Sequence, residues 1–290
     1  MIPPAMPITL RPGRPEDADE CGRICHEAFR TINAEHGFPP DFPSPEAAAG
    51  LLATMLSHPG FHAVVAEADG RIVGSNVLDE RSAIAGVGPI TVHPAGQNAG
   101  VGRALMQHVL ERARARGFPG VRLVQAAFHN RSLALYTRLG FDAREPLSCV
   151  QGPPLRRALP GCAVRPATEA DVAACNRLCL RVHGHTREGE LRDAVRAGAA
   201  TVVEREGRVS GYATGIAFFA HAVAEADEDL EALIAAAPAF GGPGFLVPTR
   251  NAALLRWCLA NDLRIVQPMT LMSIGTYQEP RGAYLPSISF

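Results

Sequence analysis

Six consecutive residues, Gln97-Asn98-Ala99-Gly100-Val101-Gly102, and the Arg103 after them have the types and spacing that hold an anion. Gly100 and Gly102 carry no side chain, so a ligand can approach the main chain closely. A helix starting here offers N–H groups that lack intrahelical acceptors, and its dipole favours negative charge. Gln97 and Arg103 add side-chain donors at the rim. The chemistry these residues suit is phosphate or pyrophosphate binding; the alternative is a glycine-rich turn that binds nothing. Two other phosphate loops do not fit. A dinucleotide fingerprint needs Gly or Ala three residues after its second glycine, where this chain has Leu105. A Walker loop needs lysine, and all 28 basic residues here are arginine. The absence of lysine also excludes Schiff-base chemistry and biotinyl or lipoyl carriers.

The elements that must position this loop are legible on both sides of it. Pro89-Ile90-Thr91-Val92 reads as a strand rich in β-branched residues, stopped by Pro94, which gives the ladder no N–H. After the loop, Val101, Leu105, Val109 and Leu110 recur at helical spacing, with Arg103, Gln107, Glu111 and Arg112 on the other face. Gly117 suits the position just past that helix.

Val92-x-Pro94 followed by Gln97-x-x-Gly100-x-Gly102 resembles motif A of the GNAT superfamily of N-acetyltransferases. A second family block follows at the expected distance: Asn130 before a helix, Tyr136 within it, and Leu139-Gly140-Phe141 closing it. The resemblance implies acetyl-CoA as cosubstrate and direct acetyl transfer to an amine in a ternary complex, with no covalent enzyme intermediate. It implies that the backbone of Ile90, Thr91 and Val92 positions the thioester. Gln97, Asn98, Ala99, Gly100, Val101, Gly102, Arg103 and Ala104 would surround the pyrophosphate, with Asn130 and Ser132 toward the pantetheine arm. Tyr136 is the natural acid, because a phenol is protonated at neutral pH and can meet a departing thiolate. For the base the first choice is Glu80, which leads into the central strand; Asp79, His93, His129 or a water chain are the others.

The remaining chemistry-bearing residues point elsewhere. Cys21/Cys25 and Cys175/Cys179 each place two thiols on one helix face, and free cysteine is commonly buried. His183-x-His185 is a pair without a third ligand. No metal is therefore expected, and seven cysteines in a large chain do not read as a disulfide framework. Net charge is −1 with no basic block, which argues against nucleic acid as a partner. No apolar run is long enough to span a membrane and residues 1–10 do not read as a signal peptide, so a cytoplasmic protein is expected.

The chain of 290 residues suggests two domains, and it repeats itself. Arg11-Pro12 and Asp17-x-x-x-Cys21-x-Arg23-x-Cys25 return as Arg165-Pro166 and Asp171-x-x-x-Cys175-x-Arg177-x-Cys179. Gly70-Arg71-Ile72-Val73-Gly74 returns as Gly207-Arg208-Val209-Ser210-Gly211, and Asn130 with its helix returns as Asn251 with residues 252–259. Duplication is the economical reading. The expected fold class is α/β (α+β): two tandem GNAT-like domains, each a mixed, mostly antiparallel sheet flanked by helices. The expected division is a catalytic domain at 1–150, a Pro-rich linker at 151–161 and a degenerate domain at 162–290. In the second copy a helix starting near Asp227 replaces the glycine loop, and its carboxylates would cap the helix and repel a pyrophosphate. That half, including Tyr284, reads either as turn, core and surface tail or as a wall of the acceptor pocket. The function expected is N-acetylation of a small-molecule amine. The alternatives are an acetyl-CoA- or CoA-sensing binding module and a protein N-acetyltransferase. The oligomeric state is left open.

Overall fold

The computed structural model describes residues 8–97 and 99–289. The first copy begins with β1 (Thr9–Pro12) and a 3-10 turn, then α1 (Ala18–Glu35) and α2 (Pro45–Ser57). α1 runs on to Glu35, shortly before the breaker Gly37, at φ 74°. α2 starts at Ser44, whose side chain caps the Ala47 N–H. The hairpin β2 (Phe61–Ala68) and β3 (Arg71–Asp79) turns at Asp69-Gly70, both at positive φ. Then come β4 (Ala85–Val87), β5 (Thr91–Val92), α3 (Val101–Ala115), β6 (Gly120–Ala126), α4 (Asn130–Arg138) and β7 (Asp142–Gln151). The apolar stripe of α3 (Val101, Leu105, Val109, Leu110) is buried as the periodicity requires. Gly117 follows the helix at φ 74°.

The second copy repeats the order with β8 (Ala163–Pro166), α5 (Val172–His183), α6 (Glu188–Arg196), β9 (Thr201–Arg205), β10 (Arg208–Ala213) and β11 (Ala222–Ala224). α7 (Asp227–Ala236), β12 (Phe245–Pro248), α8 (Ala252–Ala260), β13 (Arg264–Gly275) and β14 (Ala283–Leu285) complete it. The repeated residues keep the same interactions. Arg11 makes a two-pronged pair with Asp17 at 2.7 and 2.8 Å and reaches Glu67 at 2.8 Å. Arg165 pairs with Asp171 at 2.8 Å through both nitrogens and with Glu204 at 3.0 Å. The cysteine pairs of the two copies lie in separate apolar cores, and among the described residues no group of three or more His, Cys, Asp or Glu could hold a metal. No helix there is long and apolar enough to cross a membrane.

These arginines set an acid limit. Arg11 holds the Asp17 carboxyl below the usual range, and Arg165 does the same to Asp171. A carboxylate depressed in the folded state contributes stability that is complete above its unfolded pKa of about 3.9 and is lost as pH falls through the folded value. The melting temperature should therefore drop below about pH 4. Asp171→Asn should lower it at pH 7 and flatten its acid limb; an unchanged limb in a folded variant would rule the pair out as a source.

The copies do not keep separate sheets. The larger sheet has nine strands in the order β1-β2-β3-β4-β6-β13-β7-β12, with β5 paired to β3. β13 of the second copy thus lies between β6 and β7 of the first, and β7 lies between β13 and β12. β13 pairs antiparallel with β6 from Met269↔Ala126 to Gly275↔Gly120 and with β7 on its other edge. Since β12 corresponds to β6 and β13 to β7, the four strands β6-β13-β7-β12 at this end of the sheet have a pseudo-twofold relation about the β13–β7 pair. The apolar cores cross the same line: Met272 packs in the first core, and Val150 packs in the second. Residues 152–161 have no regular structure, but they are held down, with Leu155 and Leu159 against the second core. The smaller sheet is β14-β11-β10-β9-β8.

Candidate functional site

The site is built on a gap in the larger sheet. β4 pairs with β6, in parallel, at only Ala85↔Val121 and Gly86↔Arg122. Beyond that point the first strand turns away through Gly88-Pro89 and continues as β5, which pairs with β3 alone. β3 approaches closely because Gly74 faces it; a Cβ there would stand 2.6 Å from the Thr91 carbonyl oxygen. β6 meanwhile continues along β13 to Ala126. The two strands that were neighbours therefore splay apart. A cavity of about 640 Å3 opens between residues 87–92 on one side and 123–126 on the other.

One end of this cavity is the start of α3. Gly100 is its N-cap, at φ 86°, a left-handed conformation that a side chain disfavours. Gly100, Gly102 and Arg103 line the cavity here, beside Gln97 and Arg131. Gln97 acts mostly as a strut: its Nε2 donates to the Val92 carbonyl at 3.3 Å, and its Oε1 accepts from Arg131 at 2.8 Å. The result is a helix N-terminus flanked by two arginines, a fit for a pyrophosphate. The middle of the cavity is lined by Ile90, Thr91, Val92, Ser132 and Tyr136. Tyr136 is buried and meets Phe141 edge-on at 6.1 Å; burial raises its pKa well above that of an ordinary phenol. The far end is apolar, with Phe29 and Phe42 from the α1–α2 side and Phe218, Phe219 and Met269 from the second copy.

Residues 26–141 match the model of the acetyltransferase (GNAT) family. Residues 26–141 are a GNAT acetyltransferase region. The whole chain is similar in structure to a protein of Pyrococcus horikoshii assigned as an acetyltransferase, at 17% identity, TM-score 0.74, and coverage of 96% of this chain and 92% of that one. It is also similar to a GCN5-related N-acetyltransferase from Sphaerobacter thermophilus, at 16% identity and TM-score 0.63, covering 98% and 99%. A tandem GNAT protein from the clavulanic acid biosynthesis pathway matches at 17% identity and TM-score 0.56, covering 93% and 98%. At these identities the likeness is one of fold, and it extends the GNAT arrangement to both halves. No curated protein matches the chain.

Within the GNAT domain the expected residues separate into three groups. Ile90, Thr91, Val92, Gln97, Gly100, Gly102, Arg103, Ser132 and Tyr136 meet at the cavity. Ala99, Val101, Ala104 and Asn130 are not among its lining residues: Val101 is buried in the α3 core, and Asn130 is exposed in the first turn of α4, where His129 and Arg131 face the cavity instead. Asn98 lies outside the described residues. Glu80 is corrected as a base. It accepts from Arg112 at 2.7 and 3.1 Å, lies 3.7 Å from Arg116, and does not line the cavity; Arg112 holds its carboxyl below the usual range. Asp79 is likewise taken by Arg81 at 2.6 Å, and His93 is not among the lining residues. His129 lines the cavity, but desolvation and the nearby Arg131 lower its pKa to about 4, so its ring is neutral at pH 7 and a weak proton acceptor.

The second half lacks the equivalent gap. β14, from the C-terminal tail, pairs with β11 at residues 222–224 and lies against β12, where the first half leaves space. Tyr284 therefore does not wall the cavity. It is buried in β14, and its hydroxyl donates to Glu145 at 3.3 Å. The tail does reach the cavity a few residues further on, where Ile288 and Ser289 line it. α7 begins at Asp227 as expected, but Ala226 at its N-cap provides no side-chain cap. Asp227 accepts instead from Asn251, and Asp229 from Arg205 and Ser210. Asp41, missed in the sequence, lines the apolar end.

Proposed function

We propose that the protein transfers an acetyl group from acetyl-CoA to the nitrogen of a small amine by direct attack, using one site per chain, in the first half. The observation that carries this reading is a continuous cavity, about 640 Å3, lined by the glycine-rich start of α3, a buried tyrosine and a group of apolar side chains. Gly100, Gly102, Arg103 and Arg131 would hold the pyrophosphate. The unpaired edges of β5 and β6 would align the pantetheine arm and thioester by main-chain hydrogen bonds, with N–H groups aimed at the carbonyl oxygen as charge builds on it. Tyr136 would donate a hydrogen bond to the departing sulfur. Phe218, Phe219, Ile288 and Ser289 narrow the acceptor side, which favours a small molecule over a peptide.

Calorimetric titration of the full chain with acetyl-CoA tests the reading. One site per chain is expected. A second site would mean that β14 yields its place in the second half. No binding in folded protein would overturn the proposal and leave Gln97–Gly102 as a structural turn.

A further inference from the structure

The apolar end of the cavity carries one charge of its own. Asp41 stands in the α1–α2 loop, in the run Pro39-Pro40-Asp41-Phe42-Pro43, where prolines limit the backbone. Its Oδ1 accepts from Asn33 Nδ2 at 3.2 Å and from Gln267 Nε2 at 3.1 Å. Asn33 also donates to the Pro39 carbonyl at 2.8 Å, fixing the loop to α1. Gln267 belongs to β13, so both halves of the chain hold this carboxylate. Among the described residues no donor reaches Oδ2 and no arginine or histidine pairs with Asp41. Burial raises its pKa. A carboxylate taken from water without a cation is unfavourable, and an incoming cation relieves that cost.

The surroundings restrict what that cation is attached to. Phe42 lies between Phe29 and Phe219, each ring pair 6.2 Å apart, and Met269 joins them in the wall. Charge along the cavity is segregated. Its lining arginines, Arg103, Arg131 and Arg138, all come from α3 and α4 at the other end. The other lining carboxylate, Glu35, is exposed on the last turn of α1. Among the described residues nothing cationic lines the apolar end to neutralise an acceptor's carboxylate or phosphate.

Taking the acetyl-transfer reading above as its basis, we infer that Asp41 pairs with the cationic nitrogen of the acceptor, and that the acceptor is a primary amine on a compact apolar or aromatic body without an anionic group. The ammonium meets Oδ2, and the body lies against the phenylalanine faces. An α-amino acid would bring its carboxylate beside Asp41, and like charges repel. A polyamine would press a second ammonium into an apolar wall without a partner.

The test uses the full chain, with 2-phenylethylamine, phenylalanine, spermidine and a short peptide as acceptors. The kcat/KM for 2-phenylethylamine should exceed that of each other acceptor by about 100-fold or more. Asp41→Asn should raise the KM for 2-phenylethylamine by about 30-fold or more, with acetyl-CoA affinity and melting temperature unchanged. An unchanged amine KM in folded Asp41→Asn overturns the inference. If that variant does not fold, the wild-type panel decides: preference for phenylalanine, spermidine or the peptide overturns it, as does acetyl-CoA binding without turnover of 2-phenylethylamine. Failure of acetyl-CoA to bind at all is a different result, and it removes the underlying transfer reading instead.

Discussion

Residues 1–156, produced without the rest of the chain, should not form a stable domain. β6 and β7 are not neighbours; β13 of the second half sits between them and pairs with both. Removing it leaves two strand edges open and strips the cover from the core. β13 contributes Met269, Leu271 and Met272, which are 4%, 1% and 0% exposed. At about 1.5–3 kcal/mol for each such side chain, their burial is worth roughly 5–9 kcal/mol, comparable to the whole stability of an ordinary domain. Residues 157–290 should fail for the reciprocal reason, since β7 lies between β12 and β13. Co-expression of the two pieces should restore a folded complex that binds acetyl-CoA. A soluble 1–156 fragment that unfolds cooperatively at the melting temperature of the full chain would show that the exchange is dispensable.

Tyr136→Phe should lower kcat by about 100-fold, within the usual range for loss of a proton-donating group. Acetyl-CoA affinity should stay within about two-fold, because the ring and its contact with Phe141 remain. The position of the phenol supports this role. It lines the cavity and is buried, and burial keeps it protonated across the working pH range. A phenol less acidic than a thiol does not give up its proton fully at equilibrium. In the proposed transfer its contribution would be a hydrogen bond that strengthens as negative charge collects on the sulfur in a dry site. Unchanged turnover in the Phe variant would remove this role and leave Tyr136 as a core residue.

Much of the first half was legible because its signals are local. The α3 stripe and the glycine loop are each read within one short window. The duplication was legible too, and the two Arg–Asp–Glu triads give it a structural basis. What failed was non-local. Glu80 is next to the central strand in sequence, but nothing along the chain announces that Arg112, on a helix beyond it, claims its carboxylate. Asp41 lies in a stretch that reads as a turn; a lone carboxylate between prolines and a phenylalanine was the available signal. The exchange of β7 and β13 left no trace in pattern, because a strand's alternation is the same whichever neighbour it meets.

The interlocked strands also have a consequence during synthesis. A ribosome finishes β6 long before it begins β13. At about 5–20 residues per second, the roughly 150 residues separating the ends of those strands take on the order of ten to thirty seconds. Throughout that interval the nascent first half presents an apolar β6 edge with no permanent partner, and β7, made soon after it, is free to occupy the wrong place. Only when the last quarter of the polypeptide has emerged can either core close. The larger sheet can therefore be completed only at the end of translation, when β13 becomes available to fill the place between β6 and β7.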